Sequence, residues 1–407
     1  MKAAPVSGDE RILSLDIIRG FALLGIFLVN MPTFIAPEFI RQMYSLPEAL
    51  APLDQAVRLF FDMFVQTKFY TIFSFLFGLG FFIFMSRVEK KGLNVNRLFS
   101  RRLLILLLLG LWHLVFLWYG DILHTYALIG FLLLLFYKRS NKAVIGWAFG
   151  LTILFYALTI FQLLLISMVP VTYLGEQQAI GEEKLVEALR IYQDASYAEW
   201  LAYRLEVEIT TIIGNIPFLI LILLPLFLFG LYAGRQGILH EPAKHIGFIK
   251  RVWRVTLICS VPSVVMVALL HFDALSFGAG QETAHQLFVT LSGLTLCFFY
   301  ISSLVILLQK PVWQKRLRPL GLVGQMALTN YLLQTIISVL IINLFDLFNR
   351  ISLSTGLLLS LVIYFVLVLF SSFWLKRYRF GPFEWLWRSL TYGYLQPLKR
   401  SERQQSS

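Results

Sequence analysis

The sequence predicts an all-α polytopic membrane protein, with about ten transmembrane helices, short interfacial amphipathic helices and both termini cytoplasmic. Three observations carry that prediction. Hydrophobic residues fill 58% of the 407 positions and charged residues 14%, whereas a soluble domain carries about 25% charged residues. Polar side chains are thus too few to cover a water-facing surface. Ten apolar runs reach or approach the roughly 20 residues that a helix needs to cross a hydrocarbon core. Finally, Lys and Arg alternate between rich and poor from one loop to the next.

The runs are 14–35, 68–86, 102–119, 121–137, 143–169, 207–233, 250–271, 284–309, 321–345 and 355–375. The first has no small-residue cleavage site, so it reads as a retained helix rather than a signal peptide. Segment 53–67 alternates charged and apolar residues at helical spacing, as an interfacial helix does. Segment 176–208 holds eight acids and three bases, which suits a solvated, partly helical external piece. The chain therefore divides into an N-terminal transmembrane region (1–169), an acidic external segment (170–206), a second transmembrane region (207–393) and a polar, loose tail (394–407). No internal repeat, Gly-rich phosphate loop or low-complexity tract is present.

Orientation follows from the positive-inside rule. With the N-terminus in the cytoplasm, the inner side collects 27 Lys and Arg against 6 acids, and the outer side 7 against 16. The net charge of +12 is then a topology signal. It calls for no nucleic-acid partner, only contact with anionic membrane lipid. Cys259 and Cys297 each stand alone in an apolar run, so they read as buried, inert thiols without disulfide or zinc.

Ionisable groups inside a span cost about 2.5–3.5 kcal/mol on insertion scales, which makes them functional candidates. In the first span Asp16 and Arg19 are three apart and share a helix face. Asn30 returns to that face about 16 Å deeper, so a polar stripe runs toward mid-bilayer. His113 lies near the middle of the third span and is suited to general-base or proton-shuttle work; a hydrogen-bonded structural histidine is the plain alternative. Asp121 and His124 fall at the outer hairpin, where a water-exposed turn needs polar residues anyway. Lys68 opens the second span on the outer side, against the charge bias, so it should pair with an acid or bind an anionic group. Gly78 and Gly80 favour close helix packing. In the ninth span Asn330 and Gln334 share a face, for interhelical hydrogen bonds or for substrate. After the last span Glu384 and Arg388 sit four apart on a short amphipathic helix, with Trp385 and Trp387 as interfacial anchors. The spacing reveals no metal-ligand cluster, Walker A motif or Ser-His-Asp order.

The opening RILSLDIIRGFALLGIFLVNMPTF resembles the start of the YeiB family of bacterial inner-membrane proteins. So do KFYTIFSFLFGLGF, GLWHLVFLWYGDILHTYALIG, LFLFGLYAGRQGIL, GLVGQMALTNYLLQT and GPFEWLWRSLTYG, in family order from residue 11 to about 393. The last two blocks mark the family's C-terminal domain of unknown function. The resemblance implies a bacterial cytoplasmic membrane location. The first half is also similar to transmembrane acyltransferases, among them the lysosomal heparan glucosaminide N-acetyltransferase and bacterial polysaccharide O-acyltransferases. The shared feature is Asp-x-x-Arg-Gly, here Asp16, Arg19 and Gly20. The O-acyltransferases have a histidine where this chain has Asn30, and an amide is no general base at neutral pH. The acetyltransferase branch has a histidine in the region where this chain offers Lys68.

That resemblance implies acyl transfer from a cytoplasmic acyl-CoA to an unknown small-molecule acceptor, with no resident cofactor. Arg19, oriented by Asp16, would hold the donor, and Arg87, Arg97, Arg101 and Arg102 are available for its phosphates. His113 would take the acceptor proton, and Asn30, Asn330 or Gln334 would hold the oxyanion. The same polar groups also describe the path of a proton-coupled transporter or flippase, in which His113 carries the proton. A non-catalytic membrane protein is the third reading.

Overall fold

The computed structural model describes residues 12–400. Residues 1–11 and the end of the polar tail, 401–407, lie outside the described residues. The described chain is helical: α1 (Leu13–Ile35), α2 (Glu38–Met43), α3 (Pro52–Phe64), α4 (Lys68–Lys90), α5 (Val95–Phe116), α6 (Leu123–Leu133), α7 (Asn141–Ile166), α8 (Val171–Gln193), α9 (Tyr197–Tyr203), α10 (Thr210–Gly214), α11 (Ile216–Arg235), α12 (Ile246–His271), α13 (Gln281–Leu307), α14 (Pro311–Arg316), α15 (Arg318–Gln325), α16 (Ala327–Leu344), α17 (Leu353–Arg377) and α18 (Pro382–Tyr392). Among the described residues nine helices are long and apolar enough to cross a membrane. The tenth apolar helix, Leu123–Phe136, is shorter and ends in a 3₁₀ turn. The protein is an all-α multi-pass membrane protein.

α1 is the hub, packed against α4, α13, α15, α16 and α17. Ile17, Ile18, Ala22 and Phe27 on it are sealed from solvent. Two glycines bring α15 onto it. A Cβ on Gly20 would lie 1.9 Å from the Leu320 carbonyl oxygen, and one on Gly324 would lie 1.9 Å from that of Asp16. Tyr364 on α17 adds a hydrogen bond to the Gly20 carbonyl at 2.7 Å. Gly78 likewise meets α11, at the Phe227 carbonyl oxygen. Gly80 meets no backbone so closely: a Cβ there would find no atom of another element nearer than Arg19 Nη2, at 4.0 Å. On the outside, α7, α12 and α17 carry belts such as Phe149, Ile153, Ile258, Val261, Phe365 and Leu369 that stay exposed, as lipid-facing surfaces do.

The ninth expected span is broken. α15 and α16 part at Met326, whose backbone leaves the helical region (φ −111°, ψ 36°). Glu384 of α18 takes over the freed amides, accepting from Leu328 N at 2.7 Å and Thr329 N at 3.0 Å. Of segment 53–67, the expected helix runs over Pro52–Phe64 and residues 65–67 turn into α4; Asp54 on it accepts from Ser354 N at 2.8 Å at the start of α17. Trp385 and Trp387 are half-buried, and their indole N–H groups donate to Gln396 O at 2.7 Å and Arg102 O at 2.9 Å. The start of the tail is not loose, because Arg379 N and Arg400 N bond Leu398 O and Arg377 O. Of the two cysteines only Cys297 is buried; Cys259 is exposed.

Candidate functional site

A cavity of about 560 Å³ opens among α1, α4, α5, α6, α16 and α18. Its mouth lies at the Lys- and Arg-rich end, where Arg19, Arg87, Lys90, Lys91, Arg102 and Arg388 line it beside Asp16 and Glu384. Its interior is apolar and aromatic, walled by Leu76, Phe77, Phe81, Leu103 and Leu106, and it reaches Ile122, Tyr126 and Tyr331. Gly80, without a side chain, keeps the α4 wall open beside Arg19.

The mouth is built rather than incidental. Arg19 Nη1 donates to Asp16 Oδ1 at 2.9 Å, as their spacing predicts; Asp16 is buried and Arg19 half-buried. Arg102 stacks on Trp387, 3.7 Å from its ring centroid, and lies 4.9 Å from that of Phe84. Arg388 lies 4.5 Å over the Phe380 ring. Burial pushes the Glu384 carboxyl above its ordinary value, against the hydrogen bonds it accepts from Thr329 and Leu328. The result is a cationic rim around a hydrophobic throat, a shape that takes an anionic head with an apolar tail.

Beyond the floor of the cavity lies a second polar group. Asp121 is buried and bridges two histidines: Oδ1 pairs with His113 Nδ1 at 2.9 Å, Oδ2 with His124 Nδ1 at 2.8 Å. The His124 amide also donates to Oδ2 at 2.8 Å, and His124 Nε2 meets Thr125 Oγ1 at 3.1 Å. The outer hairpin is therefore not a water-exposed turn. Gly110 allows its depth, since a Cβ there would sit 2.3 Å from the His124 amide. His113 is in the last turn of α5, not at its middle, and is fully buried. With Nδ1 donating to a carboxylate, its Nε2 is the free basic nitrogen; it is buried without a hydrogen-bond partner. Gln334 Oε1 and Ser338 Oγ are also buried without partners. They follow Tyr331 on one face of α16, so a polar track continues past the cavity floor.

The candidates thus fall into three groups. Asp16, Arg19, Glu384 and Arg388 line the cavity. His113 and Asp121 form the cluster behind it. The rest do not reach either. Asn30 is half-buried on α1, a turn beyond the last cavity-lining residue, Ile26. Asn330 is spent on structure, donating to Val323 O at 3.1 Å and Ser371 Oγ at 2.9 Å. Gln334 Nε2 reaches Leu23 O at 3.5 Å. Lys68 binds no exposed anion: it is fully buried, with Nζ donating to Asp62 O at 2.7 Å and Val289 O at 3.4 Å. Of the four arginines expected to meet a donor, Arg87 and Arg102 line the cavity and Arg97 and Arg101 do not. Sequence reasoning missed Tyr126 and Tyr331. Tyr331 adjoins Asn330 in a polar stretch, which was the available signal. Although spacing suggests no metal cluster, the fold gathers Asp62, His271 and His285.

A family model described as a protein of unknown function (DUF418) matches residues 233–394. The uncharacterized protein YxaH of Bacillus subtilis (strain 168) is 31% identical over 98% of this chain and 98% of its own. An uncharacterized 39.9 kDa protein in the amylase 3′ region of Bacillus acidopullulyticus is 34% identical over 95% of this chain and 96% of its own. The uncharacterized protein YeiB of Escherichia coli (strain K12) is 28% identical over 94% of this chain and 96% of its own. No solved structure matches significantly. From its first helix to its last, the chain belongs to the YeiB family of multi-pass membrane proteins.

Proposed function

We propose that the protein transfers an acyl group from a CoA-type thioester, held in the cavity from the cytoplasmic side, to an acceptor that approaches through the polar track beyond Tyr331. The observation that carries this is the pairing of a cationic rim with an apolar throat. The phosphates of the donor would meet Arg19, Arg87, Arg102 and Arg388, and its acyl arm would lie along the Phe and Leu walls. In the transfer, the acceptor oxygen or nitrogen attacks the thioester carbonyl carbon. A carbon–heteroatom bond forms, the carbon–sulfur bond breaks and the thiolate leaves. The acceptor proton passes to His113 Nε2, while Asp121 fixes the tautomer and stabilises the imidazolium. Asp16 orients Arg19 and touches no reacting atom. Asn330 drops out of the oxyanion role because its donors are already used.

The test is calorimetry with acetyl-CoA and longer acyl-CoAs on purified protein, wild type and Arg19→Ala, followed by thioester turnover. Saturable binding that weakens at least tenfold in the variant is expected. A well-folded sample that binds no acyl-CoA overturns the reading.

One observation favours proton-coupled transport of an anionic amphiphile instead. His113 does not line the cavity, so it can carry a proton without touching the cargo. Flux in proteoliposomes that needs His113 but no thioester cleavage would select that alternative.

A further inference from the structure

We propose that Asp62, His271 and His285 form a binding site for a divalent transition metal of the Zn²⁺ class at the acidic end of the protein, apart from the cavity. The three residues come from α3, the last turn of α12 and the second turn of α13. One potential ligand atom of each lies within 4.8 Å of the other two. Two imidazoles and one carboxylate form the donor set that borderline metals prefer. Metal–ligand bonds of about 2.0–2.2 Å set tetrahedral ligand atoms roughly 3.3 Å apart. His285 Nε2 and Asp62 Oδ2 are already 3.7 Å apart, too far for a hydrogen bond and close to a metal-bridged spacing.

A second observation points to a missing ligand. His285 Nε2 is buried and has no hydrogen-bond partner. Buried polar nitrogens are rarely left so, and a metal ion would satisfy it. The surrounding charges matter as well. Arg58, Lys68, Glu38 and Glu282 face Asp62, Arg58 and Asp273 face His271, and Glu282 and Lys68 face His285. The two cations oppose metal binding, but both are engaged elsewhere. Arg58 pairs with Glu38 at 2.9 Å and Glu48 at 3.3 Å, and Lys68 Nζ is held by backbone carbonyls. The Lys68 bond to the Asp62 carbonyl also fixes the α3–α4 corner that carries the ligand. Three protein ligands leave one position for water or an outside donor. A bound ion would tie α3 to the α12–α13 hairpin.

The test uses full-length protein in detergent, freed of any histidine tag and stripped with EDTA. Zn²⁺ is titrated by calorimetry, and Co²⁺ is followed by visible absorption. The expected result is one saturable site per chain, a rise in unfolding temperature with Zn²⁺ and the strong d–d bands of tetrahedral Co²⁺. Binding should fall at least a hundredfold in His285→Ala and Asp62→Asn, and stay unchanged in His240→Ala, where an exposed histidine is removed. Should one ligand variant fail to fold, the other and the wild-type Co²⁺ spectrum still decide. No saturable binding, an octahedral Co²⁺ spectrum or equal affinity in wild type and both ligand variants overturns the site.

Discussion

Ile122 and Tyr331 share one hydrogen bond, with the Ile122 amide donating to the Tyr331 hydroxyl across 3.3 Å. Both residues line the cavity, while Asp121, one position earlier, anchors the buried histidines. The bond joins the floor of the cavity to the cluster beneath it. Tyr331→Phe keeps the ring and removes the acceptor, at a stability cost of about 1 kcal/mol. Acyl-CoA affinity should hold while turnover drops at least tenfold, read on one preparation by calorimetry and product assay. Loss of both in step would reduce Tyr331 to a wall of the cavity.

Asp121→Asn removes the anion that orients two imidazoles. Charge-assisted hydrogen bonds carry about 1.5–3 kcal/mol each, so thermal unfolding in detergent should fall by several degrees. His113→Gln should unfold near the wild-type temperature, since a side chain of moderate size still reaches Asp121, yet it cannot titrate and should abolish turnover. Full activity in that variant would leave His113 as packing.

Donor binding should weaken with salt, because rim cations that meet phosphates are screened over about 10 Å at 0.1 M. Arg102→Ala should cost roughly tenfold in affinity, about 1.4 kcal/mol, and flatten the salt dependence. The readout is Kd against ionic strength; a slope equal to that of wild type would move the phosphates away from Arg102.

Gly324→Ala forces a methyl group into the Asp16 carbonyl oxygen. Backbone on both sides leaves no soft neighbour to yield, so a loss above about 3 kcal/mol is expected. Expression and detergent melting would report it, and a wild-type melt would mean that α1 and α15 can separate.

Glu384→Ala leaves the start of α16 uncapped, at about 1–2 kcal/mol. The pH response has a defined sign. A carboxyl raised above its usual 4.5 by burial adds stability that is full at low pH and is lost as pH rises through the shifted value. Wild type should therefore lose unfolding temperature relative to Glu384→Gln between pH 4.5 and neutrality. Parallel melting curves would show that the carboxyl titrates normally.

Hydropathy made the spans legible because lipid demands long apolar helices, whatever their partners. It could not reveal the break at Met326, since the group that makes the break tolerable, Glu384, is supplied by a later helix. The Asp16–Arg19 pair was readable because helical spacing alone brings it together. The same reasoning failed for Asp121 and His124, where a hairpin looks wet until Gly110 lets it sink. Asn330 looked chemical in a one-dimensional list, but Ser371 and Val323 consume it in space. The arginines of the rim looked like a topology signal, and nothing local told Arg102 from Arg101. Only the crossing of α5 with α18 does that.

The contact between α1 and α15 bears on what the matched stretch 233–394 can do by itself. Its Gly324, its Tyr364 hydroxyl and its Trp387 indole all end on backbone from the first hundred or so residues. The matched stretch is therefore not a self-contained unit of assembly. Expressed alone, it would present small-residue grooves and unmet donors to lipid; co-expressed with residues 1–232 as a split protein, the two pieces should find each other and co-purify.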